Sequence, residues 1–363
     1  MDRELRLLLS NADRALGRLD GVGSILPNPD LFVAMYVRHE AVLSSQIEGT
    51  QSTLEDVLAY EVEGDDAGLP RDVSEVVNYI NAMNFGIKRL DELPLCTRLL
   101  REIHGHLMRG VRGGEKDPGE VRQIQNWIGP PGCTTQTAAF VPPPPTELDE
   151  LLTKFERFLH DRESLEPLVQ VALAHAQFET IHPFLDGNGR VGRLLITLLL
   201  MERKILSRPL LYLSIYLKMH RAEYYDRLTA IRRDGDWEGW LRFFLRGVAE
   251  VSASASATAG AILALRERSR AAIESANGLR LLDNLFQQPV THVRHVERVL
   301  GCTFATANRL VQEMEKLGLL REMTGHKRNR RYQFYPYLRL FDHVPVSVES
   351  QEEQVTQDDS ANP

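Results

Sequence analysis

A glycine-rich turn between two helical segments is the feature that most constrains this chain. Residues 181–193 have the sequence Ile-His-Pro-Phe-Leu-Asp-Gly-Asn-Gly-Arg-Val-Gly-Arg. Apolar residues recur at helical spacing before it, in 165–180, and an apolar run, 194–201, follows it. The first turn of a helix presents unpaired N–H groups that favour phosphate, and glycines let an anion approach the backbone closely. The pattern therefore predicts a helix, an anion-binding turn and a second, buried helix.

The polar residues of this turn suit a nucleotide-phosphate site. His182 precedes the glycines and is a residue type that titrates near neutral pH, as a general base requires. Asp186 lies just before the glycines, where a hard divalent cation can bridge it to phosphate oxygens. Arg190 and Arg193 are three residues apart, so both can reach one side of the first helical turn. These residues predict a phosphate site with a base beside it.

Two other interpretations of the same region are weaker. Gly187, Gly189 and Gly192 also fit the loose dinucleotide fingerprint G-x-G-x-x-G, but that fingerprint should follow a strand, and the preceding segment is helical by pattern. His175 lies seven residues before His182 and suggests a metal pair. Because it falls on the apolar face of its helix with no further ligand nearby, we expect a packed core histidine.

The segment 182–193 resembles the Fic motif, H-x-F-x-[DE]-G-N-G-R-x-x-R, at every fixed position. Fic proteins are mostly adenylyltransferases, which transfer AMP from ATP to a hydroxyl side chain of a protein. The resemblance implies that His182 deprotonates the attacking hydroxyl, that Asp186 binds Mg²⁺, and that the two arginines hold the outer phosphates. The implied nucleotide-binding residues of the turn are Gly187, Asn188, Gly189, Arg190, Val191, Gly192 and Arg193. We expect Phe184 to pack inward and anchor the loop.

A second motif lies far upstream. Residues 44–49, Ser-Ser-Gln-Ile-Glu-Gly, resemble the Fic inhibitory motif, [ST]-x-x-x-E-[GN], with Ser44, Glu48 and Gly49 at its fixed positions. The segment 31–47 is helical by pattern, and glycine is typical of a helix end. The resemblance implies that Glu48 pairs with Arg193 and misplaces the γ-phosphate of ATP. The chain is therefore similar to Fic proteins that are inhibited by their own N-terminal helix.

Residues 121–141 predict a β-hairpin flap. The segment 121–128 alternates partly in polarity between Gly and Pro residues, which is typical of a short strand, and the prolines of 142–145 predict a stiff exit. In Fic proteins a flap at this place docks the target segment as an added strand. The alternative is an ordinary surface hairpin. The flap residues that we assign to the nucleotide site are Asn126, Trp127, Ile128 and Gly129.

The adenine contact is less well defined by the sequence. Related proteins place a tyrosine near this point against the adenine, and we choose Tyr224, with Tyr225 as the alternative. Either tyrosine could equally belong to the core. Some relatives carry an asparagine eight residues after the first tyrosine, whereas this chain has Arg232. That nucleotide contact therefore stays open.

The last ordered unit, 275–342, resembles a winged helix-turn-helix. It contains two helical patterns, 293–300 and 303–317, and then a basic hairpin, 327–334. A basic wing suits DNA phosphates, so residues 291–334 are a candidate DNA-binding surface. The alternative is that the unit serves packing or dimerisation, and a homodimer is one assembly that we consider.

We expect a mainly α-helical chain. Its units are an N-terminal helical region over 1–94, a Fic core over 95–250, a connecting segment over 251–274, the winged-helix unit over 275–342 and an acidic, disordered tail over 343–363. The low-complexity connecting segment suits a flexible linker or, because alanine is a strong helix former, a connecting helix.

Bulk properties exclude few classes of protein. A net charge of −7 gives no general attraction to nucleic acid. The three cysteines have no metal-site spacing and no obvious disulfide pattern, which suits a reducing cytoplasm. By pattern no apolar run reaches the length of a membrane span, and the first residues do not resemble a signal peptide, so we expect a cytoplasmic protein without a membrane partner.

These observations favour an Mg²⁺-dependent protein adenylyltransferase that binds ATP and docks a hydroxyl-bearing target on the flap. Two alternatives stay open. The same site would suit removal of AMP from a modified protein, with Glu48 activating water. The chain would also suit a DNA-binding regulator whose core only senses nucleotide.

Overall fold

The computed structural model describes residues 1–25, 29–64, 69–129, 132–326 and 328–341. Within these ranges the chain is mainly α-helical, as the sequence predicts, with one small antiparallel sheet near the C-terminus. The tail expected over 343–363, and Lys327 of the basic hairpin, lie outside the described residues.

The elements follow one another as helices until residue 287. The helices are α1 (Arg3–Ile25), α2 (Pro29–Ile47), α3 (Leu54–Glu63), α4 (Val73–Arg89), α5 (Thr97–Leu107), α6 (Leu148–His160), α7 (Pro167–Ile181), α8 (Asn188–Glu202), α9 (Ser214–Met219), α10 (Arg221–Asp234), α11 (Trp237–Ala271), α12 (Ala276–Gln287), α13 (Val293–Leu300), α14 (Phe304–Lys316) and α15 (Tyr335–Leu338). The strands are β1 (Val290–Thr291), β2 (Leu320–Glu322) and β3 (Tyr332–Phe334).

Two long helices, α1 and α11, pack along each other. The spacing of the buried apolar residues of α1 alternates between four and three positions, which places them on one stripe of the helix. These residues are Leu5, Leu9, Ala12, Leu16 and Leu19. On α11 the helix is continuous through the low-complexity residues 251–260, so the connecting segment is helical there rather than a flexible linker. Ala255 on this stretch is fully buried, and its carbonyl accepts from the Tyr36 hydroxyl of α2 at 3.0 Å.

By length and composition alone, α11 could cross a membrane, and it is the one helix in the described part of the chain of which this is true. The expectation that no segment reaches that length is therefore wrong for this helix. The core helix of a globular domain passes the same test, and 44% of the most apolar window of α11 is buried inside the fold.

The central helix of the N-terminal region, α2, packs between α4, α9 and α12. Its buried Glu40 accepts hydrogen bonds from the Ser214 amide at 3.0 Å and from the Tyr79 hydroxyl at 3.2 Å. Burial raises the pKa of Glu40 to about 7. On the opposite side, Arg38 donates to the Gln287 carbonyl at 3.3 Å. These contacts fix α2, and therefore the segment 44–49 at its end.

The two helices predicted around the glycine-rich turn are present as α7 and α8, which pack against each other. Both are buried on nearly every side, which explains their apolar composition. Phe184 in the turn is buried as expected, and its ring stacks on His104 of α5 at a centroid distance of 3.9 Å. The Phe184 side chain therefore anchors the turn to the core through α5.

The flap differs from the prediction. Residues 121–128 do not form a strand, and among the described residues of the flap pairing is limited to one antiparallel bridge, Ile128 to Phe140, with N–O distances of 2.8 and 3.1 Å. The reason lies on the returning side, because the prolines that follow Val141 have no N–H group to extend a ladder. Despite its partial alternation, the segment 121–128 is therefore a loop with a single paired rung, the Ile128–Phe140 bridge.

The C-terminal unit combines α12, α13 and α14 with a sheet of strand order β1-β3-β2. The predicted helix over 293–300 is confirmed, and the predicted helix over 303–317 is present as α14, with Thr303 as its N-cap. Between them the chain turns at Gly301, whose φ of 63° is left-handed. The unit packs on the N-terminal region, where the Gln288 side chain donates to the Leu58 carbonyl at 2.8 Å.

Candidate active site

His182 ends α7 in a left-handed conformation, with φ 51° and ψ 59°. Such a conformation is uncommon outside glycine, and it turns the chain from α7 into the glycine loop. The ring Nδ1 is buried and has no hydrogen-bond partner among the described residues. Burial, and next the positive charge of Arg232, lower the pKa of His182 to about 4. The imidazole is therefore neutral at pH 7 and can accept a proton.

The predicted anion cradle is the N-terminus of α8. Gly187 is the N-cap residue in a left-handed conformation, and the first turn of α8 therefore faces the site with its free N–H groups. The Asn188 side chain braces the loop, because its amide donates to the Phe184 carbonyl at 2.8 Å and its oxygen accepts from the Phe184 N–H at 2.9 Å. The side chain of Asn188 thus shapes the cradle through the backbone.

Val191 and Gly192 lie beneath the cradle. Val191 is fully buried. A Cβ atom on Gly192 would lie 2.5 Å from the Glu179 Oε1 atom of α7, so glycine allows the two helices to approach. Their place in the structure is within the packing of α7 against α8.

Asp186 lies at the edge of the cradle with both carboxylate oxygens engaged. Oδ1 accepts from the Gly187 N–H at 2.7 Å, and Oδ2 pairs with the Lys116 ammonium at 2.8 Å. Burial opposes ionisation, but Lys116, the Gly187 N–H and the charge of Arg190 together outweigh it and lower the pKa of Asp186. A lysine that already occupies this carboxylate indicates that the position attracts cations. In the described ranges no group of three or more His, Cys, Asp or Glu could hold a metal by itself.

Glu48 meets Arg193 in the cradle, 145 residues away in sequence. The Glu48 Oε1 atom lies 2.6 Å from the Arg193 guanidinium, which Ser44 also binds through its hydroxyl at 2.7 Å and its carbonyl at 3.0 Å. A Cβ atom on Gly189 would lie 2.2 Å from Glu48 Oε1, so only glycine leaves room for this carboxylate. Burial opposes ionisation of Glu48, but the charge of Arg193 lowers its pKa.

The end of α2 presents Glu48 in this position. The helix ends at Ile47, and Gly49 has a φ of 97°, a left-handed value that favours glycine. Ser44 is fully buried, whereas the Glu48 side chain is 33% exposed. The structure therefore brings Ser44, Glu48 and Gly49 together with Arg193, as the sequence predicts.

Arg190 does not share the surroundings of Arg193. Its guanidinium is buried, and it pairs with Glu75 of α4 at 3.2 Å and contacts the Met108 sulfur at 3.4 Å. Glu75 also lies 3.5 Å from Arg112. Arg190 therefore links α8 to α4 beneath the turn, while Arg193 faces Glu48.

The two tyrosine candidates occupy different environments. Tyr224 is buried, and its hydroxyl lies 2.8 Å from His175 Nε2, while His175 Nδ1 lies 2.8 Å from the Gly192 carbonyl. His175 is thus the satisfied core histidine that the sequence predicts. Tyr225 is 38% exposed. Burial, and next the charge of Glu48, raise the pKa of Tyr225. Of the two tyrosines, Tyr225 is the more exposed.

Two family models match adjacent parts of the chain. The model of the Fic/DOC family N-terminal region matches residues 6–88, and the model of the Fic/DOC family matches residues 94–200, which contain His182, the cradle and Arg193. Residues 94–200 are a Fic domain.

Curated relatives of this Fic domain are named protein adenylyltransferase Fic. The protein from Culex quinquefasciatus is 34% identical over 172 residues, which are 46% of this chain and 29% of that protein. The protein from Drosophila melanogaster is 32% identical over 172 residues, which are 46% of this chain and 30% of that protein. The match thus covers less than a third of the length of these relatives.

Solved structures share the Fic fold. A Fic family protein from Desulfovibrio desulfuricans superposes with a TM-score of 0.59 at 20% identity, over 92% of this chain and 96% of that chain. A Fic domain-containing signaling protein from Bacteroides thetaiotaomicron gives a TM-score of 0.55 at 18% identity, over 69% of this chain and 95% of that chain. At these identities the comparison establishes the fold.

Of the four flap residues assigned to the nucleotide site, Asn126 contacts the Fic motif, and the other three contact residues within the flap. Asn126 donates to the Phe184 carbonyl at 2.9 Å, which ties the flap to the motif loop. Trp127 is 43% exposed, and its indole donates to the Cys133 carbonyl at 3.0 Å. Ile128 forms the rung, and a Cβ atom on Gly129 would lie 2.6 Å from the Cys133 sulfur. These contacts shape the flap beside the cradle.

Sequence reasoning did not identify Arg122 as a residue of the site. Arg122 is 2% exposed, and its guanidinium donates to the carbonyls of His182 at 2.9 Å and of Pro143. Its own N–H donates to the Pro183 carbonyl at 2.9 Å. It therefore joins both stems of the flap to the backbone of the catalytic candidate. The only signal in the sequence is an arginine in a segment otherwise expected to be a surface strand.

Proposed function

We propose that this chain transfers AMP from ATP to a Ser, Thr or Tyr hydroxyl of a target protein, and that Glu48 restrains the reaction. One observation carries the proposal. The Glu48 carboxylate lies against Gly189 and Arg193 at the N-terminus of α8, where the sequence places the phosphates of ATP. A carboxylate is an anion that the protein itself can supply, so its position marks an anion site with a cation and helix N–H groups around it.

In this reaction the target hydroxyl oxygen forms a bond to the α-phosphorus of ATP. The bond from that phosphorus to the oxygen bridging the α- and β-phosphates breaks, and pyrophosphate leaves. The proton of the hydroxyl passes to His182, whose neutral imidazole has a free, buried Nδ1. The N–H groups at the start of α8 stabilise the charge that develops on the transferred phosphoryl group. Arg193 holds the γ-phosphate once Glu48 has left it.

Asp186 is the residue that would hold Mg²⁺. Mg²⁺ is usually bound by one or two carboxylates together with substrate phosphates and water, so a single carboxylate beside the cradle fits it. The ion would neutralise charge on the phosphates. The Lys116 ammonium would have to release Asp186 Oδ2 as the ion binds.

Replacing Asp186 by asparagine should reduce Mg²⁺-dependent AMP transfer strongly, because the amide keeps the shape but loses the charge. A chelator of Mg²⁺ should stop AMP transfer by the chain that keeps Asp186. Lys116→Met is the matched control, since it breaks the same ion pair and keeps the carboxylate. Full activity of Asp186→Asn, or full activity in chelator, would show that this metal assignment is wrong.

The proposed function is tested by the position of the label in ATP. The Glu48→Gly chain is incubated with a cell lysate and ATP labelled at the α-phosphorus, and in parallel with ATP labelled at the γ-phosphorus. AMP transfer labels protein from the first nucleotide only. Label from the γ-phosphorus would indicate a kinase and overturn the proposal. Loss of label from a pre-modified protein, with no gain from ATP, would favour the AMP-removing reaction.

We propose in addition that residues 291–334 form a winged helix that contacts duplex DNA. The support is the order of elements, with α13 and α14 joined at Gly301, then β2 and β3 paired with β1. The N-terminal part of α14 is exposed, including Phe304 at 52% and Arg309. In a winged helix this is the helix that enters the major groove.

Arg309→Ala should weaken binding to a mixed-sequence duplex by about fivefold or more, since an arginine in contact with DNA contributes at least about 1 kcal/mol. The measurement is fluorescence anisotropy at several salt concentrations, because phosphate contacts weaken as salt rises. Arg268→Ala, on the exposed face of α11, is the control. Equal affinity of both variants, or no binding by the wild type at low salt, would favour a packing role for this unit.

A further inference from the structure

Arg232 of α10 lies between the flap and the end of the helix that carries His182. Its guanidinium stacks over the Phe140 ring, with 3.8 Å between the guanidinium carbon and the ring centroid. The same group donates to the Glu179 carbonyl at 3.0 Å, and its Nε lies 3.4 Å from the Thr180 hydroxyl. One side chain therefore contacts the returning side of the flap and the last turn of α7.

The residue that Arg232 contacts is half of the only rung in the described part of the flap. Phe140 exchanges both backbone hydrogen bonds with Ile128, so a group that fixes Phe140 also fixes this rung. A different residue holds the two stems of the flap. Arg122, in the first stem, donates to the His182 carbonyl and to the carbonyl of Pro143 in the second stem. The rung lies farther along the flap, and Arg232 is its contact with α10.

The surroundings of Arg232 are suited to a stacking role rather than to an ion pair. No carboxylate lies within ion-pair distance of it among the residues that the structure describes. Its positive charge is instead stabilised by carbonyl oxygen at the C-terminal end of α7, where the helix dipole is negative, by the face of an aromatic ring, and at longer range by the Glu179 carboxylate. A planar guanidinium can make both contacts at once, which an ammonium cannot.

We propose that Arg232 is a positioning residue, which fixes the Ile128–Phe140 rung of the flap relative to His182. The consequence of this positioning for the choice of acceptor hydroxyl rests on the proposed function, AMP transfer to a protein. An extended target segment that pairs with the flap takes its register from that rung, and a slip of one residue would turn the acceptor hydroxyl to the opposite face. Arg232 thus governs use of the protein acceptor, while ATP is held by the cradle.

The first experiment measures the rung itself and needs no enzymatic activity. Amide hydrogen exchange at Ile128 and Phe140 should be about 2- to 30-fold faster in Arg232→Met, which is the factor that corresponds to one cation–π contact. Amides of α8 should keep their wild-type rates. Arg233→Met is the matched control, because the Arg233 side chain is exposed and, within the part of the chain that the structure describes, forms an ion pair with Asp234 alone.

The second experiment measures transfer in the Glu48→Gly background. The acceptor is a His182→Ala copy of this chain, supplied at increasing concentration. Arg232→Met should raise the acceptor concentration needed for half-maximal rate by a larger factor than it raises the KM for ATP. Phe140→Leu should do the same, and the double variant should be no worse than either single variant, because both remove one contact. Arg232→Lys should restore only part of the effect.

The outcomes separate this inference from the proposed function. Local acceleration of exchange without AMP transfer by any variant supports the positioning role of Arg232 and overturns the proposed function. Transfer with unchanged exchange at Ile128 and Phe140 overturns the positioning role. Acceleration throughout α8 in Arg232→Met would indicate general unfolding, in which case Phe140→Leu decides by the same two readouts. Additive effects in the double variant would also overturn the positioning role.

Discussion

A Glu48→Gly variant should transfer AMP roughly 10- to 100-fold faster than the wild-type chain, the factor for losing a charged hydrogen bond of about 1.5–3 kcal/mol. The substitution removes the carboxylate that lies 2.6 Å from Arg193. Arg193 is then free to hold the γ-phosphate. The measurement is incorporation of α-labelled phosphate, including self-modification on exposed hydroxyls, at several ATP concentrations.

Gln51→Gly is the matched control for this variant. It adds glycine flexibility three residues farther on, at an exposed side chain in the same loop, and it does not touch Arg193. An equal gain in both variants would attribute the effect to a loosened loop. A lower rate in Glu48→Gly would instead assign Glu48 to the activation of water in AMP removal. An unchanged rate would show that Glu48 is not an inhibitor.

Replacing His182 by alanine in the Glu48→Gly background should reduce transfer by about 100- to 10,000-fold, the usual cost of removing a general base. ATP should still bind, because the cradle is built from α8 and Arg193 rather than from the imidazole. Transfer is followed by labelling, and binding by the stabilisation that ATP gives against thermal unfolding. Near-normal labelling by the variant would remove His182 from the role of base.

The pH dependence provides a second measurement on the same residue. Since burial, with Arg232, lowers the pKa of His182 to about 4, the base is deprotonated throughout the neutral range. Transfer should therefore stay constant from about pH 6 to pH 8 and decrease only as the pH falls toward the lowered pKa. His326→Ala, at an exposed position in the C-terminal unit, should leave rate and profile unchanged. A decrease centred near pH 6.5 would contradict a buried, neutral His182.

Local patterns in the sequence were sufficient for the helices and for the turn between them. The buried apolar runs predict α7 and α8, and Thr303 and Gly301 mark the limits of α14 and α13 through capping chemistry. The pairing of Glu48 with Arg193 spans 145 residues, and it was predicted only because a family resemblance connected the two motifs.

Contacts between distant segments explain what the sequence did not predict. Arg190 meets Glu75 across 115 residues, and no local pattern indicates that pairing. The segment 121–128 was predicted as a strand from its own alternation alone. That alternation gives no information about the returning segment, in which the prolines after Val141 lack N–H groups. The contacts of Arg122 and Arg232 form only when three separate segments fold together. The residues next to them in the sequence therefore do not predict these contacts.

The Glu48–Arg193 pair is asymmetric in a way that determines how fast the site can change state. The Arg193 side chain is 1% exposed and stays bound to Ser44, whereas Glu48 lies beyond the last residue of α2 and is 33% exposed. The anion can therefore leave by rotation of one side chain, without undocking of the helix. The cation stays aligned for the incoming phosphate, so the exchange of one anion for another requires almost no reorganisation of the protein.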